Sequence, residues 1–115
     1  MFGIGARAAS LWRLEEAVRV GLTSIHTNDP TYLNGAKQTY KLFDELINDE
    51  GIGPRSNLLI DYKYLEELKS AGMYAGFGND KVIVGAIKFF ADGALGGRTA
   101  LLSEPYTDSP SKYGS

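Results

Sequence analysis

Hydrophobic residues near the start of the chain recur at helical spacing. Over residues 9–20, Leu11, Leu14 and Val18 share one face, Arg13, Glu16 and Arg19 fill polar positions, and Gly21 follows, so an amphipathic helix is expected. Residues 22–27 are partly β-branched and bounded by Gly21 and the turn run Asn28-Asp29-Pro30, which suits a short buried strand. A second helix is expected to start near Pro30. Its face is Ala36, Tyr40, Phe43 and Ile47, and Asp49-Glu50-Gly51-Ile52-Gly53-Pro54 ends it. Residues 57–60 form another apolar run, and Asp61 is a good N-cap for a third helix carrying Leu65 and Leu68, closed by Gly72. Residues 82–91, VIVGAIKFFA, are the most apolar stretch, too short to cross a membrane, and read as a strand. From Asp92 onward, Gly, Ser, Pro and Thr predict one long loop.

The order helix, strand, helix, strand, helix, strand, loop predicts an α/β fold with parallel strands joined by short crossovers. Three parallel strands leave two unpaired edges and need cover on both faces. Residues 1–115 are therefore expected to form a single partial domain, either cut from something larger or assembling as a homo-oligomer through its sheet edges. No internal repeat or linker divides it.

Composition narrows the chemistry. Hydrophobic residues make up 43% of the chain, enough for a core, and the net charge of −2 provides no basic stripe, so neither nucleic acid nor a membrane is an expected partner. The absence of cysteine removes disulfides, thiolate metal sites and thiol nucleophiles. The opening residues meet Glu15 and Glu16 before any long apolar run develops, which lacks the pattern of a signal peptide and makes the cytoplasm the expected location. A single histidine, His26, excludes an internal three-histidine site or a two-histidine zinc motif. It is expected to be packed or hydrogen-bonded in a structural role.

Lys88 interrupts the apolar run. Regular alternation along residues 82–91 would put it on one face with Val82, Val84, Ala86 and Phe90, with Ile83, Ile87 and Phe89 on the other. A lysine in such a place reaches out to water, finds a partner or loses its proton. A neutral amine can form a Schiff base with a carbonyl substrate, or take up carbon dioxide to give a carbamate, an anionic oxygen ligand for divalent metals. Lys88 falls just before the carboxyl end of its strand, where parallel α/β folds place their ligand sites. The following loop, Asp92-Gly93-Ala94-Leu95-Gly96-Gly97-Arg98-Thr99-Ala100, has the small residues and the cation to cradle an anion, but its spacing matches neither the P-loop nor the dinucleotide fingerprint. Asp92 could equally cap the glycine turn. Gly76-Phe77-Gly78 reads as a turn.

The stretch AIKFFADGALGGRTALLSEPYTDSP resembles a characteristic segment of the amidohydrolase superfamily, in the branch of large metal-dependent hydrolases that includes N-substituted formamide deformylase. The resemblance is carried by Lys88-x-Phe90-x-Asp92-Gly93, by Arg98-Thr99-Ala100 and by Pro105-Tyr106-x-Asp108. Upstream, Gly21-Leu22-Thr23-Ser24-Ile25-His26 is similar to the family's Gly-hydrophobic-Thr-Ser strand. The match is dense from about residue 83 to 110 and thinner over 14–28, while the middle agrees in element order.

The resemblance implies a distorted TIM-like (β/α)8 barrel that hydrolyses amide-type C–N bonds in small-molecule substrates with one or two divalent metals, zinc being expected. Its strands would correspond to about the second, third and fourth of the barrel, and Lys88 to the fourth-strand lysine, often carboxylated, that holds metal. Asp92, Gly93 and Arg98 would line the substrate mouth. The His-x-His pair of the family's first strand and the histidines of its later strands are not matched here. The chain by itself is therefore expected to be inactive, with no metal tightly bound. The reading kept beside it is a free-standing α/β module that binds an anion at its glycine loop.

Overall fold

A computed structural model describes residues 4–27, 35–111 and 113–114, together with the backbone but not the side chain of Ile4. Helix α1 (Ile4–Arg19) leads into strand β1 (Ser24–Thr27). Helix α2 (Ala36–Asp44) follows and runs straight into a π-helical turn, Glu45–Asp49. Strand β2 (Arg55–Asp61), a 3-10 turn (Tyr62–Tyr64), helix α3 (Leu65–Ala71) and strand β3 (Val82–Lys88) complete the regular structure. The strands form one sheet in the order β1-β2-β3, with both pairings parallel. The α/β class and the parallel pairing match the expectation from sequence.

Several boundaries differ from the sequence reading. Helix α1 begins well before residue 9 and stops at Arg19, where the guanidinium forms a forked ion pair with Glu16 one turn back. Only Leu14 of its expected apolar face is buried, while Val18 is 51% exposed, because α1 meets the sheet layer along a narrow contact around Ser10 and Leu14. The expected start of the second helix near Pro30 lies outside the described residues. Its face agrees: Ala36, Phe43 and Ile47 are buried and Tyr40 packs against the core from its rim. The π-helical turn also brings Leu46 fully inside.

The amino terminus of α2 receives its cap from a distant element. No side chain beside Gly35 satisfies the first backbone N–H groups; Ala36 N and Lys37 N instead donate to the Glu67 carboxylate of α3, both at 3.1 Å. An acceptor anion there also complements the positive end of the helix dipole. Gly35, at φ 123°, brings the backbone close enough that an added Cβ would stand 3.0 Å from Glu67 Oε2. Asp61 caps as expected, accepting from Lys63 N at 3.0 Å, although the turn it starts is 3-10 before it becomes α3. Gly72, in the left-handed region at φ 69°, ends α3.

The core lies on one side of the sheet only. Ser56, Leu58 and Ile60 of β2 and Val82 and Val84 of β3 point toward the helices and pack with Leu42, Phe43, Leu46, Leu68 and Met73. The opposite face of the sheet has no layer upon it among the described residues. The outer edge of β3 is partly paired: Val84 donates to Phe77 O, while Gly76 N and Asn79 N donate to Val84 O and Val82 O. The Gly76-Phe77-Gly78 turn thus lies against that edge.

The regular alternation expected through β3 does not hold. Ser56, Asn57 and Leu58 pair with Val82, Ile83 and Val84, but Leu59, Ile60 and Asp61 pair with Ala86, Ile87 and Lys88. Gly85 is therefore an extra residue, a β-bulge that reverses the inside and outside of the strand beyond it. Val82 and Val84 stay in the core, Ile87 joins them from the next turn of the pleat, and Ala86 and Lys88 fall on the open face. Lys88 is not on the face of Val82 and Val84.

Candidate functional site

Because aligned residues of parallel neighbours share a face, the open side of the sheet gathers a defined set of side chains. His26 of β1 lies beside Asn57 of β2, which lies beside Ile83 of β3; two steps higher on the same face, beyond Leu59 and Ala86, Asp61 lies beside Lys88. Asp61 and Lys88 are the last residues of their strands, so both stand at the carboxyl edge, where parallel folds place ligand chemistry. His26 is exposed rather than packed, since its face has no cover here.

Lys88 is half-buried, and its Nζ lies 5.2 Å from the centroid of the Phe90 ring. The strand ends at Lys88, short of residue 91, and Phe89 and Phe90 turn outward at 70% and 62% exposure. An amine at the open end of a strand, free of the core, is accessible to carbon dioxide and to a metal ion. As a carbamate it would offer anionic oxygens, which suit divalent cations. It would fill one ligand position: no group of three or more His, Cys, Asp and Glu side chains able to hold a metal ion occurs among the described residues. A carbamate at Lys88 would fit one ligand position of a metal centre, which needs further ligands to be complete.

The loop after β3 is built around its own hydrogen bonds. The Asp92 carboxylate accepts from Leu101 N at 2.6 Å, and this bond, with a second from Gly93 N, holds it below the usual carboxylate range. Thr99 Oγ1 accepts from Ala94 N at 2.9 Å, and the Tyr106 hydroxyl donates to Ala100 O at 2.7 Å. A Cβ on Gly93 would stand 2.3 Å from Thr99 Oγ1, so this position needs glycine for close approach. Arg98, in the left-handed region at φ 57°, forks onto Asp108: Nε donates to Oδ1 at 2.9 Å and Nη2 to Oδ2. That pairing raises the Arg98 pKa and lowers that of Asp108.

The structure thus places Lys88 on the open face at the strand end, and Asp92 and Gly93 in the turn directly after it. Arg98, in the same loop, is engaged by Asp108. The pattern of residues along the chain did not mark Asn57, Asp61 or Asp108 as members of this neighbourhood. Asp108 stood within the family-like Pro-Tyr-x-Asp segment, a signal that could have found it; Asn57 and Asp61 become neighbours of the lysine strand only through pairing.

A separate cavity of about 250 Å³ lies between α1 and β1, lined by Ser10, Arg13, Leu14, Ile25, His26, Thr27 and Phe43. The hydroxyls of Ser10 and Thr27 are buried there without a partner among the described residues, an environment suited to ordered water. Among the described residues no helix is long and apolar enough to cross a membrane.

Comparison with known proteins identifies the family and the fold. The sequence profile of the Amidohydrolase family matches residues 6–115. YtcJ of Bacillus subtilis (strain 168), an amidohydrolase by name, is 40% identical over 98 residues, covering 82% of this chain and 17% of YtcJ. Two crystal structures share the fold. An uncharacterized metal-dependent hydrolase from Pyrococcus furiosus superposes with a TM-score of 0.73 at 28% identity, over 95% of this chain and 22% of its own. One from Pyrococcus horikoshii OT3 gives 0.75 at 25% identity, over 96% and 22%. The chain therefore spans about a fifth of the proteins it matches. With a family match over nearly its whole length and an open-faced parallel sheet that ends in Lys88, the chain belongs to the amidohydrolase family.

Proposed function

We propose that this chain contributes the metal-holding lysine, and part of the substrate mouth, to a metal-dependent hydrolase that cleaves amide-type C–N bonds. The observation that carries this reading is the position of Lys88, the last residue of β3, on the uncovered face of a parallel sheet. In the same reading β1, β2 and β3 are the second to fourth strands of a TIM-like (β/α)8 barrel, and the open face is the barrel interior. A cytoplasmic enzyme is the expected setting.

The part proposed for Lys88 begins with its side-chain nitrogen. The nitrogen would bond to the carbon of carbon dioxide with loss of a proton to solvent, and the resulting carbamate would hold the divalent cation. When bound, a divalent metal, zinc in this reading, supplies Lewis acidity and an activated water for attack on the substrate carbonyl. Asp92 and Gly93 shape the wall of the mouth beside Lys88, and Arg98 steadies the rim through Asp108. The described residues supply too few ligands to complete a centre, so the chain by itself is expected to be inactive.

The test is Lys88→Ala in a protein of its relatives' length that carries this sequence. Loss of stoichiometric metal by elemental analysis, with a fall in kcat/KM of about a hundredfold or more, is the expected result. Full metal content and activity in the variant would overturn the reading. The anion-binding module has less support, because the Arg98 guanidinium that would serve the anion is engaged by the Asp108 carboxylate.

A further inference from the structure

The bulge in β3 sits at a residue whose environment admits no side chain. An ideal Cβ on Gly85 would stand 1.7 Å from Asn57 Oδ1, 2.5 Å from its Cγ and 2.8 Å from its Nδ2, so the Asn57 amide occupies the space a side chain would take. Asn57 Oδ1 is buried there and accepts no hydrogen bond from the described residues. A buried, unpaired amide oxygen is costly, and a glycine in mid-strand weakens the ladder. Two unfavourable features in contact, on the strand that carries Lys88, point to a shared purpose.

Their common effect is on the parity of β3. Before the bulge, Val82 and Val84 face the core while the outer edge of the strand is fastened by Phe77, Gly76 and Asn79. After it, Ile87 faces the core and Ala86 and Lys88 face the open side. Without the extra residue, strict alternation from Val84 would direct Lys88 into the helix-covered layer, beside Val82 and Val84, where a metal could not reach it.

We propose that Gly85 and Asn57 are a positioning pair that sets the face on which Lys88 emerges: the Asn57 amide fills the space above Gly85, the bulge stays at that residue, and the lysine amine is delivered to the open side. This rests on the reading of Lys88 as a metal ligand for its purpose, but the parity itself does not depend on metal.

The absence of native cysteine makes the pair testable in the 115-residue chain. Single cysteines at positions 84, 86, 87 and 88 are each exposed to a thiol reagent under native conditions. The expected pattern is fast modification for Ala86→Cys and Lys88→Cys, and modification slower by about tenfold or more for Val84→Cys and Ile87→Cys. Fast reaction at 87 with protection at 88 would overturn the proposal. A mutant cycle tests the pair: Gly85→Ala should lower Tm, and Asn57→Ala combined with Gly85→Ala should recover most of the loss and keep the reactivity pattern at 86–88. A Gly85→Ala chain as stable as the parent, or a double variant no better than the single one, would remove Asn57 from the role. Should the pattern and the rescue hold while Lys88→Ala leaves metal in the longer protein, the ligand reading fails and the parity device stands. The reverse result would separate them the other way.

Discussion

Lys88 stands directly opposite Asp61, each the last residue of its strand and both on the uncovered face of the sheet. The carboxylate is oriented by accepting from Lys63 N, which keeps it at the strand end. If this neighbourhood receives metal, Asp61 acts on the ligand lysine from the side. Asp61→Asn is expected to weaken metal retention by roughly tenfold, less than Lys88→Ala does. Metal titration of the longer protein, with the two variants side by side, checks the order.

The Glu67 carboxylate ties α3 to the first turn of α2 through Ala36 N and Lys37 N. Glu67→Ala should cost about 1 kcal/mol of stability, with Glu67→Gln losing less because its amide oxygen can still accept. Denaturant unfolding of the isolated chain would show it. No difference between parent and Glu67→Ala would mean that water replaces the cap without cost.

Leu58 is fully buried at the centre of the sheet, between the helices and both neighbouring strands. Leu58→Ala should destabilise by about 2–5 kcal/mol, the range for a large-to-small change in a packed core. A chain with a core on one side of its sheet has little to spare, so loss of the cooperative thermal transition is the expected readout.

Asp92 and Asp108 are both held below their ordinary carboxylate range, Asp92 by the backbone N–H groups of Leu101 and Gly93, Asp108 by Arg98. A depressed folded pKa contributes stability that is present above the unfolded value, about 3.9, and is lost as pH falls through the folded value. The loop should therefore be locked at neutral pH and loosen only in acid, below about pH 4. Hydrogen exchange at the Leu101 amide, corrected for intrinsic rate, should rise there and should already be fast at neutral pH in Asp92→Ala. An exchange rate unaffected by either change would show that the Asp92 to Leu101 bond does not fasten the loop.

The order of elements could be read along the chain because each rests on local patterns: the 3.6-residue spacing of Ala36, Phe43 and Ile47, the apolar run of β3, the Asp61 cap and the Gly72 stop. The Lys88 to Asp108 segment likewise carried the family in its residues. What the sequence could not disclose was the face on which Lys88 emerges. Alternation is a property of one strand, but a bulge exists only relative to a partner, and it took the pairing of Leu58 with Val84 and Leu59 with Ala86 to place Gly85 outside the ladder. The same holds for Glu67 capping α2, for Asp92 accepting from Leu101 and for Arg98 gripping Asp108. Local spacing determined which helices and strands form; contacts between residues distant in sequence, made only when the chain closes on itself, decided where the side chains of the site point.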